Sequence, residues 1–203
     1  MNRPALALIF AASTLLPAGS AAAATTVFNA DLSGLQEVPP NASPGSGFGI
    51  VTIDDVAFTM RVQVFFEDLL GLTTAAHIHC CAPVGSNAGV ATQVPTFIGF
   101  PLGVTDGTYD QTFDMTLDSS YNPAFLTAHG GTTAIAFADL FGGMLDGNAY
   151  LNIHTSQFGG GEIRGQLQAI PEPSTWAMML LGFGVVGAVF RRSRSRSLRP
   201  ATA

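Results

Sequence analysis

Apolar and polar residues alternate along most of this chain. In residues 27–32 the apolar positions Phe28, Ala30 and Leu32 recur with the period of two of a half-buried strand. Residues 48–53 make a second strand. Residues 58–66 are the clearest: Phe58, Met60, Val62, Val64 and Phe66 fall on one face, against Thr59, Arg61 and Gln63 on the other. Asp54 and Asp55, set between these two runs, predict a hairpin. Residues 75–80 form a short strand. Residues 108–117 alternate again, with Tyr109, Gln111, Phe113, Met115 and Leu117 sharing a face. Residues 149–154 and 162–170 are two last strands, joined by a turn at Gly159, Gly160 and Gly161. Residues 34–47 and 83–107 are rich in Gly and Pro and read as loops.

The helical period is confined to residues 121–129 and 132–145. In the second stretch Ala134, Phe137, Ala138, Phe141, Met144 and Leu145 approach a helical stripe, weakened by Gly142 and Gly143. Many short strands with Gly and Pro turns predict an all-β fold. The expected architecture is an antiparallel Greek-key β-sandwich or barrel with one short helix.

Both ends break this texture. Residues 1–24 carry Arg3, an apolar run, a break at Pro17 and four closing alanines, the pattern of a cleaved secretory signal peptide. At the other end, Pro171, Glu172 and Pro173 precede the 15 uncharged residues 176–190, and Arg191, Arg192, Arg194, Arg196 and Arg199 follow. A transmembrane helix over residues 175–190 is expected, with the arginines left on the cytoplasmic side and residues 200–203 as a tail.

Charge sharpens this division. The whole chain of 203 residues carries −6, yet residues 25–170 hold two arginines, Arg61 and Arg164, against thirteen carboxylates, a net of −11. No basic patch is available to neutralise phosphates, so nucleic acid is excluded as a partner. Cys80 and Cys81 are adjacent and cannot staple distant segments. A vicinal ring, a metal thiolate and a bridge between chains all remain open to them.

Two resemblances follow from quoted stretches. The order Pro171-Glu172-Pro173, a short apolar segment containing Gly182-Phe183-Gly184, and an arginine cluster resembles the PEP-CTERM sorting signal over residues 171–199. Such tails occur on exported proteins of exopolysaccharide-making Gram-negative bacteria. The resemblance implies recognition by an exosortase at the inner membrane, with Pro171, Glu172, Pro173, Arg191 and Arg192 as the sorting residues. The stretches LSGLQEVPP (residues 32–40), AHIH (76–79), AYLNIHT (149–155) and GGEIRGQL (160–167) resemble the CHRD domain named for chordin, spanning residues 25–170. Phe158-Gly159-Gly160 departs from the family habit of a Pro before the Gly pair. The resemblance implies an extracellular binding or structural module and carries over no activity.

The histidines offer the one constellation with chemistry. His77 and His79 lie two apart and share a strand face, with Cys81 next along it. His154 comes from a second strand, and His129 in a loop is a candidate fourth ligand. Three imidazoles from two strands would suit zinc or copper. An H-x-H strand is also part of the plan of the copper-zinc superoxide dismutases, a fold-level analogy that lacks that family's full ligand set and separated cysteines. The competing reading hydrogen-bonds the rings to backbone and lets His154 cap the glycine turn. Glu162 and Arg164 share a face and are structural ion-pair candidates, with Asp31, Asp146 or the Tyr150 hydroxyl as partners. No nucleophile elbow, zincin motif or phosphate loop is present, and Asp110, Asp114 and Asp118 fall on a strand rather than in a calcium loop. The expected function is therefore non-enzymatic: an exported surface or matrix protein associated with exopolysaccharide. The competing expectation is a histidine metalloprotein, with redox chemistry in its superoxide-dismutase-like form.

Overall fold

The computed structural model describes residues 25–171 and 173–196. The signal peptide predicted for residues 1–24, Glu172 and the tail 200–203 lie outside the described residues. Three long strands, β1 (Thr25–Ser33), β2 (Ser46–Asp54) and β3 (Thr59–Glu67), form an antiparallel meander. The hairpin at Asp54 forms because its carboxylate accepts the backbone N–H groups of Val56 and Ala57, at 3.0 and 2.7 Å. Met60, Val62, Val64 and Phe66 bury as expected. Phe58 does not: it sits in the turn at φ 52°, 40 % exposed, its ring against Phe137.

The chain then crosses over. Strand β4 (Thr73–Cys80) lies at the far edge beside β6 (Ala149–Thr155), while β5 (Gly107–Asp114) returns to pair with β3. Strands β7 (Ile163–Gln166) and β8 (Gln168–Ile170) close the structure against β1. The order is β4-β6-β7-β1-β2-β3-β5, with β8 on β1, and every strand pairing among the described residues is antiparallel. The all-β expectation holds, but these strands form one continuous sheet, curled as a half-barrel, rather than two stacked sheets. Residues 162–170, expected as one strand, break at Leu167. That side chain is fully buried, and its N–H donates to Ala149 O. The segment before it lies between β6 and β1, and the segment after it pairs with β1 alone. At this closure a side chain on Gly165 would meet the Asp31 carbonyl, so only glycine lets β7 approach β1.

Two short helices, not one, cover the open side. Helix α1 (Pro123–Ala128) starts with Asn122 accepting the Ala124 N–H and proline in the first turn; α2 (Thr133–Leu145) is capped by Thr132. The buried face of α2 is Ala136, Phe137, Leu140, Gly143 and Met144, whereas Ala134, Ala138 and Leu145 of the expected stripe are exposed. The rotation has a cause in Gly143. A Cβ there would strike both sulfurs of a Cys80–Cys81 disulfide, so the helix seats its glycine on that bridge. Phe28, Val51, Ile53, Met60, Phe66, Ile78, Leu151 and Ile153 fill the core. Each fully buried aliphatic or phenyl group contributes about 1.5–3 kcal/mol of apolar transfer.

Helix α3 (Pro173–Arg196) ends the described chain. The transmembrane helix expected over residues 175–190 is corrected here: among the described residues no helix is long and apolar enough to cross a membrane. The reason is length. The uncharged run of 15 residues contains Gly182, Gly184 and Gly187, and at about 1.5 Å per residue it spans roughly 22 Å against about 30 Å of hydrocarbon.

Candidate functional site

Strand β4 is an edge strand, and the way its edge is covered builds the site. The loop 88–97 runs along it. Thr96 and Thr92 hydroxyls accept the Ala76 and Ile78 N–H groups, each at 2.9 Å, and Gly89 O accepts from Cys80 N. The edge is thus satisfied by side chains and loop carbonyls rather than by another strand. Ala76 and Ile78 point into the core, so His77 and His79 project from the other face, 6 % and 7 % exposed. In the β4–β6 register Ala75 faces His154, His77 faces Asn152 and His79 faces Tyr150. His154 thereby joins the two β4 imidazoles on one face, as the alternation of strands dictates.

The three rings converge. One nitrogen of each lies within 4.8 Å of the other two. His77 Nε2 is 2.7 Å from Pro95 O, His79 Nδ1 is 3.0 Å from Ala88 O, and His154 Nδ1 is 3.1 Å from Gly159 O. A carbonyl only accepts, so each of these nitrogens carries the proton. The opposite nitrogens, His77 Nδ1, His79 Nε2 and His154 Nε2, are left as bare lone pairs. His79 Nε2 and His154 Nε2 stand 3.3 Å apart, and His77 Nδ1 is buried with no hydrogen-bond partner. Burial drives His77 and His79 down to about 4, against carbonyl bonds that favour their charged forms, so both are neutral at pH 7. Burial also lowers His154, opposed by its bond to Gly159 O. The rings thus bond backbone, and the free nitrogens of His79 and His154 face one another.

The other expected ligands lie elsewhere. His129 stands in the corner between α1 and α2, paired with Asp139 at 2.7 Å and stacked on Phe125. Cys81 is bonded to Cys80 and lies against Gly143 of α2. Its sulfur is spent in the disulfide and carries no thiolate for a metal.

A second polar group adjoins the first on the same face. Tyr150 stacks on His79 with centroids 4.9 Å apart, and the Arg164 guanidinium sits 4.5 Å over the Tyr150 ring. Arg164 donates to Gln36 O and Asn87 Oδ1 and lies 3.8 Å from Glu37 Oε2. Its expected partners Asp31 and Asp146 are not used, and Tyr150 meets it through the ring rather than the hydroxyl. Burial pushes the Glu37 carboxyl up to about 7, against the attraction of Arg164 and a hydrogen bond from the Val38 N–H. Glu37 Oε1 and Asn152 Oδ1 are both buried without partners, and lie 2.6 and 2.5 Å from the point a Gly161 Cβ would occupy. A groove of about 400 Å³ opens over Glu37 and Arg164, with Leu35, Val84 and Pro40 among its walls. Leu35 and Val84 are 77 % and 74 % exposed. Glu37 escaped the sequence reading, although one signal was present: a lone carboxylate directly before the apolar Val38-Pro39-Pro40.

Glu162 is not paired with Arg164. Its carboxylate is fully buried and takes two donors on each oxygen. Oε1 accepts from Ser43 Oγ and Leu70 N, and Oε2 from Thr155 Oγ1 and Gly71 N. It joins three loops and serves structure.

The CHRD domain family model matches residues 28–167, and the PEP-CTERM protein-sorting motif matches residues 169–194. No curated protein and no solved structure matches the chain. The sorting motif implies export, exosortase processing and membrane-associated sorting to the cell surface. Glu37, His77, His79, Tyr150, His154 and Arg164 all fall inside the domain match, within the four quoted stretches that resemble the family. The chain belongs to the CHRD domain family and carries a PEP-CTERM sorting motif directly after its CHRD domain.

Proposed function

We propose that this protein is a non-enzymatic component of the cell surface or extracellular matrix, exported by its N-terminal signal and released from its tail by an exosortase. Its CHRD domain, residues 25–170, binds a partner or polymer at the surface, exopolysaccharide being the first candidate. The observation that carries the reading is the sorting motif immediately downstream of the domain. Two features support a binding role. The groove beside Arg164 offers exposed apolar walls over a buried charge pair, a shape and chemistry suited to a ligand. The strong acidity of residues 25–170 keeps such a domain soluble and repels nucleic acid. The matches favour this reading over a superoxide-dismutase-like enzyme.

Cell fractionation tests it. The native chain should reach the surface or medium, while Glu172→Ala, or deletion of residues 191–199, should keep it from both. Unaltered delivery of both variants would overturn the sorting claim.

A further inference from the structure

We infer that His77, His79 and His154 form a binding site for one divalent transition-metal ion of the zinc and copper class. Such a site does not depend on sorting. It rests on three lone pairs, each fixed by a carbonyl on the far side of its ring: Pro95 O behind His77, Ala88 O behind His79 and Gly159 O behind His154. A backbone carbonyl behind each ligating imidazole is the support that metal-bound histidines use to fix tautomer and orientation. The two facing acceptors at 3.3 Å repel one another unless a cation stands between them. That separation also fits coordination. Two nitrogens held about 2.0–2.1 Å from a tetrahedral zinc ion lie roughly 3.3–3.4 Å apart. His77 Nδ1, buried and without a partner, supplies the third donor.

The donor set selects the metal. Three neutral imidazoles and no carboxylate suit zinc and copper; calcium and magnesium require oxygen ligands. Among the described residues no fourth His, Cys, Asp or Glu joins the cluster. His154 is half-buried at its mouth, so a fourth position is open to water. An exported chain would meet metal outside the cytoplasm, after its fold has arranged the three rings.

The test uses the untagged full chain, stripped with a chelator and then given Zn(II) in calorimetry and Cu(II) in paramagnetic resonance. One ion per chain should bind with submicromolar affinity, and the copper spectrum should show nitrogen coupling. His79→Gln and His154→Gln should each weaken binding by about 100-fold, as loss of one ligand of three should cost at least what loss of a supporting contact does. His129→Gln should leave it unchanged. No bound ion in excess metal, equal affinity in the His79→Gln/His154→Gln double variant, or a copper spectrum without nitrogen coupling would each overturn the site. Should a variant fail to fold, the native chain's stoichiometry and copper spectrum still decide, because neither depends on a substitution.

Discussion

Glu162→Ala should lower the melting temperature by roughly 10 °C, from a loss of about 3–5 kcal/mol in a chain of this size. The substitution strands four donors at once: two hydroxyls, on Ser43 and Thr155, and the backbone N–H groups of Leu70 and Gly71. Hydroxyls can turn to other acceptors; the two backbone groups cannot. Glu162→Gln is the sharper probe. Each carboxylate oxygen accepts one backbone N–H, so whichever way an amide is placed its NH₂ must face one of them. One buried donor is then unsatisfied, at about 1–3 kcal/mol. Acid has a matching effect. Burial raises the Glu162 carboxyl, but its four donors together hold it below the ordinary value of 4.5. A depressed carboxylate stabilises the fold above that value, and its contribution is lost as pH falls through the folded pKa. Thermal melts at neutral and acid pH measure both. If Glu162→Gln melts with the native chain at pH 7, the network has been misjudged.

The second large effect lies at Arg164. Arg164→Met keeps the stem and removes the charge, leaving Gln36 O and Asn87 Oδ1 without their donor and Glu37 buried without its cation. Breaking a buried charged pair from one side costs about 3–5 kcal/mol. The deficit should also depend on pH. Glu37 is already raised to about 7, because burial outweighs Arg164 and the Val38 N–H. A raised carboxyl contributes most when protonated, below its ordinary value of 4.5, and that contribution is lost as pH rises through the folded pKa. Removing Arg164 raises Glu37 further, so the variant should lose more than the native chain between pH 5 and pH 8, by about 1–2 kcal/mol. Glu37→Gln in the same background should flatten the difference. An equal deficit for Arg164→Met at both pH values would refute this account of the pair.

How far the sequence foretold these sites depends on the range of the interaction. Alternation disclosed β1, β3 and β5, because each buries one face. The carboxylate of Asp54 announced the hairpin because its turn is local. The spacing of His77 and His79 placed them on one face for the same reason. Their meeting with His154 depends on β4 crossing the sheet to pair with β6, which no local pattern encodes. The face of α2 was misjudged because Gly143 seats on a disulfide joining adjacent residues of another element. The break at Leu167 was missed because one strand-like run serves two different neighbours. The terminal helix was legible, but its membrane span was not sustained, since 15 uncharged residues with three glycines fall short of a bilayer. Arg164 and Glu162 were marked as ion-pair candidates, yet their partners Glu37, Leu70 and Gly71 come from loops whose course the sequence does not dictate.

Above all, the CHRD domain should be delivered outside the cell and freed from its tail. Intact-mass measurement of the protein recovered from the cell surface or medium tests it most directly. The expected product is a chain beginning near Thr25 and ending near Pro171, without α3 and the arginines. Recovery of the uncut chain through Ala203, confined to the cytosol, would contradict it.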